Sequence, residues 1–216
     1  MARFWFGITG VRLKVNSFNH IDSGPCVIVA NHASYLDGLI LKAVLPPRFG
    51  FVIKREVTRV PLIHFLLRRI GSEFVERRNR YRSGQDARRI VELAKSGNSI
   101  AVFPEGTFTA QPGLAQFRPG AFAAAVAGEL PVVPVVIEGS RAMLSADRFL
   151  PRPGAITVTA LPPLHVSGEG RDAMKDMAKR SRAAILDVLN EPDLCLPNSS
   201  PSELQHQVQR ENNSGS

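Results

Sequence analysis

Cysteine is scarce in this sequence of 216 residues: only Cys26 and Cys195 are present. Two isolated thiols exclude a disulfide framework and a cysteine-built zinc site. His20, His64, His165 and His206 lack metal-ligand spacing among themselves, so no metal is expected. Long apolar runs are missing too. The nearest approach, Ala121 to Ile137, is broken by Glu129, Pro131 and Pro134, short of the roughly 18–20 residues a spanning helix needs. The N-terminus carries a short aromatic patch, Phe4-Trp5-Phe6, without the pattern of a cleavable signal. There is no G-x-G-x-x-G or Walker-type loop, so no nucleotide cofactor is indicated.

What is present is a globular composition, 44% hydrophobic and 21% charged, with length for one domain. The charge is lopsided. Lys+Arg number 27 against 19 Asp+Glu, a formal net charge of +8. Arginine supplies 21 of these cations and lysine only six. Arginine makes forked contacts to phosphate, so the expected partner is anionic: nucleic acid, an acidic membrane or a phosphorylated small molecule. From Arg48 to Arg89, twelve Lys/Arg residues stand against four acids, an excess equal to that of the whole chain. Within that segment the apolar stretch Leu62–Leu67 directly precedes Arg68-Arg69. Apolar residues flanked by clustered arginines suit the interface of an anionic bilayer. No aromatic–basic interleaving or helix-turn-helix pattern favours nucleic acid.

The chain reads as alternating strands and helices. Strands are expected at Val11–Val15, Cys26–Ala30, Phe49–Ile53, Glu73–Glu76, Ser99–Phe103, Val132–Ile137 and Ala155–Ala160. Helices are expected at Tyr35–Val44, Val60–Ile70, Ser83–Ser96, Gly120–Gly128 and Asp172–Asn190. This alternation implies a single α/β domain, its mostly parallel or mixed central sheet covered by helices on both faces. The division expected is 1–20 as a membrane-proximal segment, 21–190 as the domain and 191–216, rich in Pro, Ser, Asn and Gln, as a disordered tail.

Two segments look like sites. Asn31-His32-Ala33-Ser34-Tyr35-Leu36-Asp37 lies where a buried strand ends and a helix begins, the edge at which open α/β sheets bind ligands. A carboxylate on one imidazole nitrogen would leave the other free to take a proton from a hydroxyl. Ser34-x-x-Asp37 also fits a capping box, in which Asp37 serves the helix and His32 a turn. The spacing accommodates both readings. Phe103-Pro104-Glu105-Gly106-Thr107 ends another strand, with a carboxylate and several backbone N–H groups in one turn. Glycine there allows close backbone approach to a ligand.

In order along the chain, NHASYLD (Asn31–Asp37), KREVTRVP (Lys54–Pro61), GSEFVER (Gly71–Arg77), FPEGT (Phe103–Thr107) and VPVVI (Val133–Ile137) resemble the blocks of the glycerolipid acyltransferases, whose best-known members are the lysophosphatidic acid acyltransferases. The resemblance covers about residues 20 to 165. It implies the glycerolipid acyltransferase fold, with His32 as general base and Asp37 orienting it. The donor would be an acyl thioester of coenzyme A or acyl carrier protein, with no other cofactor. The acceptor would be a lysophospholipid, most simply 1-acylglycerol 3-phosphate, giving phosphatidate. Lys54 and Arg77 would hold its phosphate, and Glu105, Gly106 and Thr107 would line its pocket. The location implied is the cytoplasmic face of a membrane, peripherally bound. Another lysolipid acceptor, transacylation between phospholipids, or a non-enzymatic basic membrane-binding role are the alternatives. After Glu-Gly-Thr, phosphate-acceptor members usually carry arginine or another polar residue. Here Phe108 stands in that place, and Arg118 and Arg141 are the cations that could substitute.

Overall fold

Two runs of largely β-branched residues, Val27–Ala30 and Val132–Glu138, lie side by side at the centre of a six-stranded sheet. The computed structural model that shows this describes residues 11–21, 24–51, 91–147 and 150–196. Among these residues the strands are β1 (Arg12–Asn16), β2 (Val27–Ala30), β3 (Phe49–Phe51), β4 (Ser99–Val102), β5 (Val132–Glu138) and β6 (Ala155–Ala160). The helices are α1 (Asp37–Val44), α2 (Ala123–Gly128), α3 (Ser140–Met143) and α4 (Gly170–Leu186), with 3-10 turns at Phe18–His20 and Pro119–Phe122. Of the helix expected over 83–96 the described part is 91–96, in which 91–95 are helical and 96 begins a turn.

The sheet order is β1-β6-β5-β2-β4-β3. Every pairing is parallel except β5 with β6. Because side chains alternate across a strand, the central strands β2, β4 and β5 feed two cores. Val27, Val29, Ile100, Val102, Val132 and Val136 face one side, against Phe122, Ala125, Met177 and Ile185. Ile28, Ala30, Ala101, Val133, Val135 and Ile137 face the other, against Ile40, Leu41 and Met143. The α/β sheet with both faces covered is therefore the fold the alternation predicted. α4 presents Ala173, Met177, Ala178, Ser181 and Ile185 inward, a stripe at helical spacing.

Several boundaries differ from expectation. α1 begins at Asp37 rather than Tyr35, because residues 35 and 36 form a turn. The helix expected over Gly120–Gly128 divides: Pro119 opens a 3-10 turn and only Ala123–Gly128 is α-helical. Pro134 sits in the interior of β5, where it has no N–H to offer, yet its carbonyl accepts the N–H of Leu161 at 2.8 Å. Residues 191–196, placed by composition in a disordered tail, fold back onto the loop after β4. Leu114 donates its N–H to the Pro192 carbonyl (2.9 Å), and Leu194 donates to the Leu114 carbonyl (3.2 Å). Phe4-Trp5-Phe6, Lys54, Leu62–Leu67, Glu73–Glu76, Arg77, the arginine cluster after Arg48 and residues 197–216 lie outside the described residues. Among the described ones, no helix is long and apolar enough to cross a membrane.

Candidate active site

Strand register brings the two site-like segments together. β2 and β4 are parallel neighbours, with Val29 opposite Val102. Continuing that register past both strand ends sets His32 beside Glu105, and the contact is made: the His32 backbone N–H donates to Glu105 Oε1 at 2.7 Å. On the other flank, β2 runs parallel to β5 with Ala30 opposite Val135. There the side chain of Asn31 takes over where β2 ends. Its Oδ1 accepts the Ile137 N–H (2.8 Å) and its Nδ2 donates to the Ile137 carbonyl (2.9 Å). The turn carrying His32 is thus fixed to both neighbouring strands.

His32 and Asp37 meet. Nδ1 of the imidazole lies 3.0 Å from Asp37 Oδ2, and the side chains are 13% and 0% exposed respectively. The same Oδ2 accepts the backbone N–H groups of Ala33 (2.7 Å) and Ser34 (2.8 Å). Three donors converge on one buried oxygen, while Oδ1 is buried with no hydrogen-bond partner. The Ser34 contact is the carboxylate half of a capping box. The other half is altered: Ser34 Oγ accepts the N–H of Leu36 (3.1 Å) and donates to the Leu144 carbonyl (2.6 Å). One carboxylate therefore serves both the turn and the imidazole. Because a carboxylate only accepts, Nδ1 carries the proton in this pair, and Nε2 is left as a proton acceptor.

The imidazole is held by rings as well. Phe103 stacks on it at 4.3 Å between centroids with an 18° interplanar angle. Phe108 approaches it at 4.4 Å and 55°, itself met edge-on by Tyr35 at 4.7 Å. Phe108, at the position where the resemblance implies arginine or another polar residue, thus packs against the imidazole.

Glu105 is buried, and both its oxygens are engaged by backbone: Oε1 by His32 and Oε2 by the Ala115 N–H at 2.9 Å. Burial pushes its carboxyl above the ordinary value, opposed by the N–H donors of Ala115 and His32. Its carboxylate faces these two amides. Gly106 adopts φ +74°, a conformation that favours glycine, and Thr107 is exposed. Arg141 is committed elsewhere. Its Nε and Nη2 donate to Glu191 (3.0 and 2.9 Å) and its Nη1 to the Thr109 carbonyl (2.6 Å). Arg182 braces the same loop from α4, donating to the carbonyls of Ala115 (3.0 Å) and Leu114 (2.8 Å) and pairing with Asp193. Among the described residues no group of His, Cys, Asp and Glu is arranged to hold a metal ion.

Sequence reasoning missed Phe103 as a stacking partner and Glu105 as a brace. Both depend on which strands are neighbours, and strand order is not written in local pattern. The Asn31 clamp had a signal, a polar residue ending a fully apolar strand.

A buried carboxylate thus orients a partly exposed imidazole at the C-terminal edge of an α/β sheet. The chain belongs to the acyltransferase family, whose pattern matches residues 12–138. It is 28% identical over 185 residues to the 1-acyl-sn-glycerol-3-phosphate acyltransferase of Saccharomyces cerevisiae, covering 84% of this chain and 61% of that one. It is 30% identical over 187 residues to the human 1-acyl-sn-glycerol-3-phosphate acyltransferase alpha, covering 84% of this chain and 65% of the relative. The chain thus spans less than two thirds of the length of these two relatives. Its fold matches the crystal structure of the 1-acyl-sn-glycerophosphate acyltransferase of Thermotoga maritima with a TM-score of 0.63 at 20% identity, covering 88% of this chain and 77% of that one.

Proposed function

We propose that this acyltransferase moves a fatty acyl group from an acyl thioester to the free hydroxyl of 1-acylglycerol 3-phosphate, forming phosphatidate. The observation that carries the reading is the His32–Asp37 pair, with Nδ1 bound to a fully buried carboxylate and the ring partly exposed. Membership of the family supports acyl transfer, and the names of the similar proteins support this acceptor.

In this reading Nε2 of His32 removes the proton as the acceptor hydroxyl attacks the thioester carbonyl. Asp37 holds the tautomer and stabilises the imidazolium that forms. The tetrahedral intermediate then expels the thiolate, and the imidazolium returns its proton to the leaving sulfur. Attack is direct, so no nucleophilic side chain is required. General-base assistance of this kind contributes on the order of 10²–10⁴-fold in rate. Lys54 and Arg77 hold the acceptor's phosphate, with Gly106 and Thr107 at its pocket. Glu105 acts one step back, fixing the peptide of His32. The basic segment from Arg48 to Arg89 docks the protein on the anionic surface where acceptor and product reside.

The test is release of thiol from an acyl-coenzyme A by purified protein with a panel of lysolipids. Wild type should release thiol with 1-acylglycerol 3-phosphate and His32→Ala should lose about 10²–10⁴-fold of that rate. Equal thiol release by both proteins with every acceptor would overturn the reading. Preference for a different lysolipid would keep the chemistry and correct the acceptor.

A further inference from the structure

The turn after β4 carries phenylalanine at position 108, and the structure offers a cation from further along the chain. The side chain of Arg141 is spent on Glu191 and Thr109. That of Arg182 is spent on Asp193 and the loop carbonyls. Arg118 differs. It is exposed, and among the described residues its guanidinium has no hydrogen-bond or ion-pair partner. Its backbone is anchored, with its N–H donating to the Pro104 carbonyl at 3.0 Å. The side chain then lies across Gly106. A Cβ built at Gly106 would fall 2.9 Å from Arg118 Cζ and 3.1 Å from both Nε and Nη1. Near-equal distances to three atoms of the plane place that point over its face, not at its edge. The guanidinium therefore turns its face to the side of Gly106 where a side chain would stand, and its N–H groups, which lie in the plane, are not aimed at that point.

We infer that Arg118 binds the phosphomonoester of the acceptor, holding it while His32 addresses the hydroxyl a short glycerol arm away. This rests on the acceptor reading given above. Glu105 links the two: its Oε1 receives the His32 N–H, and Arg118 lies over Gly106, the next residue in the chain. A planar fork with both edges free suits a phosphate dianion, which accepts two parallel N–H bonds. The absent side chain of Gly106 makes this placement possible, so the glycine does more than turn the chain. Arg118 thereby joins Lys54 and Arg77 in acceptor recognition, with Phe108 left free to pack on the imidazole.

The experiment compares wild type, Arg118→Gln and Arg118→Lys on the full chain. Acceptors are 1-oleoylglycerol 3-phosphate and 1-oleoylglycerol; donors are oleoyl-coenzyme A and the phosphate-free oleoyl N-acetylcysteamine thioester. Loss of a charge-assisted pair should raise KM for the phosphorylated acceptor about tenfold or more in Arg118→Gln, with Arg118→Lys between it and wild type. KM for oleoyl-coenzyme A, and kcat, should change less than about twofold on the same grounds. A rise in KM for oleoyl-coenzyme A but not for the phosphate-free thioester would assign Arg118 to the donor and overturn the inference. An unchanged KM for the acceptor, or a fall in kcat alone, would overturn it too. Equilibrium binding of 1-oleoylglycerol 3-phosphate, measured without donor, reads the same contact independently. Should wild type fail to acylate this lipid, the acceptor reading falls. Arg118 then stands or falls on whether Arg118→Gln weakens that binding.

Discussion

Glu105 Oε1 accepts the backbone N–H of His32 at 2.7 Å, joining positions 73 residues apart. Its other oxygen accepts the N–H of Ala115 at 2.9 Å, so one buried carboxylate ties the base to the loop that follows β4. In Glu105→Gln one of these amides must face an NH2 group instead of an oxygen, donor against donor. A buried polar group left in that state costs on the order of 1–3 kcal/mol. Urea unfolding should show a loss of that size, accompanied by a fall in kcat. Wild-type stability and turnover in Glu105→Gln would mean that neither amide depends on the carboxylate.

Phe108 packs against the imidazole of His32. Phe108→Ala removes one of the two rings against His32 and the edge contact with Tyr35. Misplacing a catalytic group by about an ångström can cost up to roughly 10²-fold in rate. Steady-state kinetics on Phe108→Ala should show that loss in kcat, with KM for the acceptor much less affected. Phe108→Arg should combine the same loss with a lower acceptor KM, because it adds a cation near the phosphate. An unchanged kcat in both variants would remove Phe108 from the account of the base.

The returning segment at 191–196 carries a pH signature. The hydrogen bond from Arg182 holds the Asp193 carboxyl at about 2, below its ordinary 3.8. A carboxyl depressed on folding adds stability above its unfolded value, and that stability disappears as pH falls through the folded one. The thermal midpoint of wild type should therefore exceed that of Asp193→Asn by a constant margin above about pH 4 and converge with it near pH 2. Parallel curves across that interval would show that the Arg182 pairing does not couple to folding.

The two thiols should behave differently. Cys26 is buried, and burial pushes its thiol up to about 11, so little thiolate forms at neutral pH. Cys195 is exposed. A disulfide reagent at pH 7.5–8 (a usual choice, roughly at the free-thiol range) should titrate one thiol per native chain and both after denaturation. Rapid reaction of both in the native protein would contradict the burial of Cys26. The result also matters practically, since thiol-release assays count protein thiols along with coenzyme A.

Much of the fold was legible because strands with both faces buried are written as unbroken apolar runs. Val27–Ala30 and the β5 run from Val132 to Ile137 are examples. So was the proximity of His32 to Asp37, since five residues across a turn leave few geometries. The partnership of His32 with Glu105 was not legible from spacing, because it depends on β2 and β4 being neighbours. The early end assigned to the domain had a different cause. Glu191 and Asp193 read as solvated polar residues, yet each neutralises an arginine, Arg141 and Arg182, fixed by other elements. Composition reports how much apolar surface a segment can bury, and this segment is secured chiefly by charge and backbone hydrogen bonds.

The stack of Phe103, His32 and Phe108 has one more consequence. Phe103 stacks on the imidazole, Phe108 leans against it at 55°, and Asp37 occupies Nδ1 on its rim. That leaves Nε2 as the ring nitrogen Asp37 does not engage. In the proposed reaction an incoming hydroxyl has to reach Nε2 alongside these rings, which restricts its pose before any bond is made. His32 would then act as a directional filter, and an alcohol bound in the wrong pose would present no proton to it.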